Sequence, residues 1–407
     1  MAAASDFALG PRRVLELADE SGVYCGKLLA DMGADVIKIE RPGGDASRRI
    51  PPFLANRPRE DASLFFLYMN TSKRGVTLDL ERPEGRALFG RLAATADLIV
   101  ETFPPGHLDR LGLGLASLRR ENPGLVLTSI TGFGQTGPHR DFKSSDLVAS
   151  ALGGSMQVVG HAEDPPVVLA GSQAHVAAST CAAVSSLIAL QHSTATGQGQ
   201  HVDISIEEVT LSVAHICGVG KWLDDGIIPR RLGSGLFHSV PSGTYRCRDG
   251  LVYLTVNRPL HWKALAEWVH EETGNREVID PMFEGASSVR QPYRELLDLF
   301  ISDLTAEHTV DEIYREGQRR HIAFSPVNGA SRVVRDAHLD ARGYFEELEH
   351  PRAGRLRYPG APYRHSETPW KLRRPAPVVG QHNREIYAEE LGLSAEELHR
   401  LSDEAVV

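Results

Sequence analysis

Short β-branched runs separated by longer amphipathic stretches organise the first half of the chain. Arg13 to Leu17 reads as a strand. Gly22 to Met32 winds as a helix, with Tyr24, Leu28 and Met32 on one face and Gly33 as a stop signal. Val36 to Ile39 is a β-branched strand, and Val76 to Leu80 alternates inward apolar with outward polar residues. Glu84 to Ala96 predicts a helix with Pro83 placed where a first turn tolerates it. Leu98 to Val100 and Leu125 to Ile130 continue the alternation, which is the pattern of a parallel α/β sheet.

The longest apolar run, Val176 to Leu190, is Ala/Ser-rich, is interrupted by Ser and Thr, and falls short of a membrane span. It reads as a buried helix with His175 in its first turn. Before it come a glycine-rich turn, Gly132 to Pro138, and a short apolar strand within Asp164 to Ala170. His201 to Ser205 predicts a further strand, with His201 hydrogen-bonded and Asp203 paired locally, and a helix runs from Glu207 to Trp222. From about Asp225 the texture changes. A Gly/Ser loop spans Arg230 to His238, a hairpin turns at Asp249-Gly250, and helices follow at His261–Thr273, Tyr293–Leu304 and Val310–Glu316. These make a small α+β domain.

Composition narrows the function classes. With 407 residues, 42% hydrophobic and 24% charged, the chain is long enough for two globular domains. A net charge of −9 argues against nucleic acid as the main partner, while leaving room for a local basic pocket. The N-terminus lacks the pattern of a signal peptide, so the cytoplasm is the expected compartment and no membrane partner is expected. Cys25, Cys181, Cys217 and Cys247 are scattered without a Cys-x-x-Cys pair, which predicts reduced thiols, no disulfide framework and no metal site.

Two sets of cations stand out. Arg41 follows the strand ending at Ile39, and open α/β sheets bind ligands outside the carboxyl ends of their strands; its ordinary reading is a solvated loop arginine. Lys73 and Arg74 precede the next strand and are ordinarily solvated too. Near Arg41 they would anchor phosphate, the lysine as a point charge and the arginine as a fork. Phe103, after the strand Leu98–Val100, reads as core.

Several segments in order resemble CoA-transferase family III, the CaiB/BaiF family that includes formyl-CoA and carnitine CoA-transferases. They are Glu40-Arg41-Pro-Gly-Gly-Asp45, Glu101-Thr102-Phe103-Pro-Pro-Gly106 with Arg110, Gly132–Pro138, Gly197–Ser205, Ala323–Asn328, Asp336–Phe345 and Gly380–Asn383. The resemblance spans nearly the whole chain. It implies a doubly wound, Rossmann-like large domain made from both chain ends (1–224 and 321–407), a small α+β domain (225–320) and an interlocked dimer. It also implies a coenzyme A thioester as substrate, with no cofactor held permanently, and an organic acid as the second substrate. Arg41, Lys73, Arg74, Phe103, Arg110 and Lys143 match CoA-contacting positions, while Thr102 replaces an Asn and loses one such contact. Ser145 falls where related racemases carry a histidine, so their acid/base pair is missing. The loop Leu232–Ser239 matches a mobile glycine-rich loop but has fewer glycines, which implies a weaker lid.

The main departure is His175. In the family an aspartate at this position attacks the thioester. A carboxylate suits that step because it can both attack and leave, and a helix N-terminus favours its charge. There a histidine is expected to be neutral, and an acyl-imidazole would be lost to water. Gly171 to Ala174 and Val176 offer no substitute, and Glu163 and Asp164 belong to a turn about ten residues earlier. Three readings stay open. One is the non-nucleophilic subunit of a heteromeric CoA-transferase, paired with a sister chain that carries the aspartate. By analogy with heteromeric members, its donor would be succinyl-CoA and its acceptor an aromatic dicarboxylic acid such as the benzylsuccinate of anaerobic toluene degradation. Another is a stand-alone CoA-thioester epimerase, hydrolase or lyase with His175 as base. The third is a non-catalytic CoA-binding or scaffold protein. The ordinary reading of His175 is a hydrogen-bonded filler.

Overall fold

The computed structural model describes residues 6–59, 61–214, 219–236 and 238–407, apart from the side chains of residues 214 and 221. The chain forms two compact units, each described by itself. The larger comprises Met1–Ser155, Val168–Gly220 and Asp340–Val407; the smaller comprises Met156–Val167 and Lys221–Leu339.

The larger unit is built on six parallel strands: β1 (Arg13–Leu17), β2 (Asp35–Glu40), β3 (Arg74–Thr77), β4 (Leu98–Glu101), β5 (Val126–Thr131) and β6 (His201–Ser205). Their order is β3-β2-β1-β4-β5-β6, with a switch point between β1 and β4. The near-continuous apolar runs of β1, β2, β4 and β5 follow from burial on both faces. On one face Leu15, Ile37, Ile99 and Leu127 pack with Leu88, Phe89, Ile386 and Tyr387. On the other, Val14, Val36, Val100 and Ile130 pack with Leu29 and with Ala174, Ala178 and Ala182 of the helix Gln173–Thr196. That helix is long and apolar enough to cross a membrane, but half of it is buried against this core. A hairpin of β10 (Phe345–His350) and β11 (Gly354–Pro359) belongs to the same unit.

The C-terminal signature finishes the open edge of β3. His382 Nδ1 accepts the N–H of Gly75 (3.0 Å), Asn383 Oδ1 accepts that of Thr77 (2.9 Å), and the Tyr387 hydroxyl donates to the Thr77 carbonyl (2.8 Å). Side chains thus meet the backbone groups that an edge strand otherwise leaves open.

The smaller unit holds the antiparallel strands β7 (Ser242–Cys247), β8 (Gly250–Thr255) and β9 (Ala323–Pro326). They are packed by the helices Pro259–Thr273, Arg294–Ala306 and Val310–Arg319. Arg231 donates to the carbonyls of His161, Ala162 and Asp164, which brings residues 156–167 into this unit. Arg294 holds the carbonyls of Leu236, Ser239 and Ser242, so the loop expected to act as a lid is tied down within its own unit.

Several boundaries differ from expectation. Beside Met156–Val167 the smaller unit spans Lys221–Leu339, where 225–320 is the expectation, and β9 pairs with β8 within it instead of opening the return segment. β3 starts two residues earlier than Val76, since Arg74 already pairs with Ile37. No strand forms within Asp164–Ala170, which is exposed. The expected helix Glu207–Trp222 appears as Ile206–Ala214 and Val219–Asp225, and residues 215–218 between them lie outside the described residues, as does the Cys217 thiol. Cys25, Cys181 and Cys247 are free thiols.

Under the sheet lies a buried charge cluster. Lys73 Nζ contacts both Glu16 carboxylate oxygens (2.8 and 2.7 Å), the Val23 carbonyl (2.9 Å) and Asn70 Oδ1 (3.1 Å). Lys38 donates to the Ala18 carbonyl (2.9 Å) and stands 4.0 Å from Glu16. Burial pushes the Lys73 pKa down to about 8, against the pull of Glu16. Removing one partner strands the other in a dry interior. Lys73→Met is expected to destabilise the protein by about 3 kcal/mol in urea denaturation, and Glu16→Gln added to it to recover part of that loss.

Candidate functional site

The carboxyl ends of β1 and β4 diverge and leave a crevice between them. The turns that follow are tied together: the Asp19 N–H donates to Thr102 Oγ1 (3.0 Å). A Cβ at Gly22 would lie 2.5 Å from Thr102 Cγ2, so this close approach requires the glycine. Thr102 therefore locks the switch point. Two neighbouring cavities of about 400 and 360 Å³ open here and share Asp19, Thr102, Phe103 and Pro104.

Arg41, Arg49, Phe103 and His107 line the first cavity. Arg41 and Arg49 are exposed cations, whereas Glu40 beside them is taken up by Arg48 (2.7 and 2.6 Å). Phe103 does two jobs, packing on the core under the sheet and standing 4.5 Å from the His107 ring. Burial lowers the His107 pKa; Glu81 opposes this, and Arg110 and Arg41 add to it. Arg110 lies within 3.4 Å of His107 Nδ1 and sits on the rim without lining either cavity.

Asp19, Glu20, Phe103, Arg140, Lys143 and His175 line the second cavity. His175 is buried, at the third position of the helix Gln173–Thr196, whose N-cap Ser172 makes no side-chain cap. The orphan N–H of His175 donates instead to Asp146 Oδ1 (3.1 Å). Ser145 caps its own helix, Asp146–Leu152, by accepting the Val148 N–H (3.3 Å). The Ser179 hydroxyl, one turn beyond His175, donates to the Ser21 carbonyl (3.2 Å) and seats the Asp19–Ser21 turn beside the helix start.

Two expected anchors are elsewhere. A loop before a parallel strand lies at the edge opposite to the loop after its neighbour, so Lys73 and Arg74 cannot join Arg41. Lys73 is fully buried on Glu16. Arg74 opens β3 and is held by Asp35 (2.6 Å), Glu385 (2.7 Å) and Glu390. Arg41, Phe103, Lys143 and His175 do converge on the crevice, with Arg110 at its rim.

The sequence reading missed Asp19, Glu20, Arg49, Arg140, Asp146 and Glu101. Asp19 and Glu20 follow β1, and the same carboxyl-edge rule that singled out Arg41 would have found them. Glu101 ends β4 behind Phe103. Burial, helped by Asp109 and Asp19, pushes its pKa up to about 7, against the hydrogen bonds from Ser129 and the Phe103 N–H, which lower it. Among the described residues no cluster of three or more His, Cys, Asp or Glu side chains is arranged to hold a metal ion.

Sheet order and crevice define a doubly wound α/β protein with a candidate site at the switch point. The sequence pattern of CoA-transferase family III matches residues 11–383, and the chain belongs to that family. It is 36% identical to the succinyl-CoA:(R)-benzylsuccinate CoA-transferase subunit BbsE of Thauera aromatica, over 93% of both chains. It is 33% identical to the succinyl-CoA–D-citramalate CoA-transferase of Chloroflexus aurantiacus, over 97% of both. Among solved structures, a CAIB/BAIF family protein from Brucella suis superposes with a TM-score of 0.84 and 28% identity, covering 95% of this chain and all (100%) of that one.

The Asp146 contact is testable. Asp146→Ala leaves the His175 N–H without its acceptor and is expected to cost about 1 kcal/mol, the scale of a lost helix cap, in thermal denaturation. Asp146→Asn, which keeps an acceptor oxygen, should cost less.

Proposed function

We propose that this chain is the non-nucleophilic subunit of a heteromeric CoA-transferase, whose sister subunit supplies the aspartate that takes the acyl group. The observation that carries the reading is His175, buried at the helix start where the family places its nucleophile, beside a crevice that keeps Arg41, Phe103 and Lys143. Relatives named as subunits support it, the benzylsuccinate enzyme's BbsE and the alpha subunit of the Chloroflexus aurantiacus succinyl-CoA–L-malate CoA-transferase, 32% identical over 95% of this chain. On this reading succinyl-CoA is the donor and an organic acid, an aromatic dicarboxylic acid such as benzylsuccinate, is the acceptor.

The outer face of the His175 helix agrees with an obligate partner. Val184, Leu187 and Ile188 are exposed there, 55%, 38% and 65% respectively, and Leu211 and Val213 on the next helix are exposed as well. An apolar stripe of this kind marks an interaction surface. The interlocked dimer of the family is the occupant we assign to it.

Chemically, the sister carboxylate attacks the thioester carbonyl and expels the CoA thiolate. The acceptor carboxylate then attacks the sister carboxyl's carbonyl in that anhydride and releases the donor acid, and the thiolate attacks the acceptor's carbonyl in the new anhydride, giving its CoA thioester and freeing the sister carboxylate. Within this chain Arg41 and Arg49 would hold phosphate, and Lys143 and Arg140 the anionic end of a substrate.

Native mass spectrometry of the chain alone and co-expressed with its sister, followed by a succinyl-CoA transfer assay, tests the reading. A mixed oligomer that is active only with both chains is expected, and His175→Ala should leave its activity largely intact. Activity of the chain alone, abolished by His175→Ala, would replace this reading with a stand-alone enzyme that uses the histidine as base. In the mixed oligomer, Arg41→Ala is expected to weaken CoA binding about tenfold, as loss of a charge-assisted contact would. Arg74→Ala should lower the melting temperature without changing CoA affinity, measured by calorimetry.

A further inference from the structure

We propose that Glu101 is a positioning residue of the crevice, fixing from beneath the Phe103 turn that walls both cavities and exchanging its proton through Ser129 and His201. The inference rests on the reading of that crevice as an acyl-CoA site.

The geometry starts at the end of β4. Glu101 Oε2 accepts the Phe103 N–H at 2.6 Å, and the Glu101 side chain is buried. Ser129 lies opposite Glu101 in the β4–β5 register and hydrogen-bonds to its carboxyl group. The Ser129 hydroxyl is in turn 2.9 Å from Nε2 of His201, which is exposed on the edge strand β6. Three adjacent strands thus carry one hydrogen-bonded chain from the back of the Phe103 wall to solvent.

A serine hydroxyl has a single hydrogen to give, so the three groups switch together. With Glu101 ionised, Ser129 donates to the carboxylate and accepts from a protonated Nε2. With Glu101 protonated, the carboxyl donates to Ser129, which turns its hydrogen to a bare Nε2.

The groups facing Glu101 raise its affinity for the proton. Asp19 comes from the turn after β1 and Asp109 from the helix His107–Arg110; Asp203 and Asp109 also face His201, whose pKa burial lowers and these two carboxylates raise. Burial and the two acids bring Glu101 to about 7. A charge-assisted N–H···O⁻ bond is roughly twice as strong as a neutral one, so the Phe103 turn is held best when Glu101 is ionised. The wall should loosen as pH falls through this range. Protonation of His107, beside Phe103 in the Arg41 cavity, would act in the opposite direction by adding positive charge to a phosphate site.

Two readouts separate this inference from the functional reading. In NMR spectra of the isotope-labelled mixed oligomer, the Phe103 amide resonance is expected to titrate with a midpoint near pH 7 and to stay flat in Glu101→Gln. In the transfer assay, KM for succinyl-CoA is expected to rise about fivefold from pH 8 to pH 6, the scale of one ordinary hydrogen bond, and to show no such rise in the variant. Should Glu101→Gln fail to fold, Ser129→Ala removes a bond that lowers the Glu101 pKa and should move the amide midpoint upward. A Phe103 amide indifferent to pH, or the same KM profile in wild type and variant, would overturn the proposal. A titrating amide in a protein that never binds acyl-CoA would sink the CoA reading and leave the Glu101–Phe103 linkage standing.

Discussion

The constraint on which the rest depends is the reversal of strand order between β1 and β4. Chains leaving these two parallel strands must part, and the gap cannot be filled by a neighbouring crossover. The sheet's contribution to the site comes from turns at this edge, Asp19 after β1, Arg41 after β2, Phe103 after β4 and Lys143 beyond β5, and His175 joins them from the start of its helix. The gap is kept narrow by backbone N–H donors meeting side chains, Asp19 to Thr102 and Phe103 to Glu101. Because both sheet faces are covered, the polar groups that support these turns have no water to turn to. Glu16, Lys38 and Lys73 are satisfied by one another and by the Ala18 and Val23 carbonyls.

Much of this architecture is written plainly in the sequence. Runs such as Val36–Ile39 and Leu98–Val100 can only be strands of a covered sheet, and the Gln173–Thr196 helix announces itself by its length. Strand starts are less visible. Val76 to Leu80 alternates convincingly, yet the ladder opens at Arg74, where a charged residue pairs with Ile37 and the alternation gives no hint of it. That shift, with the rule that a loop before a parallel strand faces away from the ligand edge, separates Lys73 and Arg74 from Arg41. Two adjacent cations look like phosphate anchors in a string of letters; in the fold they are the two ends of structural ion pairs. Glu101 was hidden for another reason. Its environment is set by Ser129 and His201, 28 and 100 residues away along the chain, and only the register of three strands brings them together.

The smaller unit shows the same division. The hairpin around Asp249-Gly250 and the three helices follow from local signals. The four residues of β9, which end in proline, carry too little pattern to be assigned, and their pairing with β8 moves the unit's boundary. What ties its long loop down is a pair of arginines, Arg231 and Arg294, gathering carbonyl oxygens, a contact that no spacing rule announces.

The histidine at the helix start is best understood through the charge that Asp146 brings to it. The N-terminus of a helix of 24 residues presents orphan N–H groups and a positive dipole end, and an aspartate there would satisfy both. Here Asp146 reaches in from the preceding helix to take the His175 N–H, and it does so without lining the cavity. A carboxylate thus meets the helix start from outside the cavity lining. The start of the helix thereby takes its anion from another element, and position 175 need not supply one. The same helix then runs to an exposed stripe at Val184, Leu187 and Ile188. The helix that starts with His175 thus joins, in one rigid element, the wall of the crevice to an uncovered apolar face.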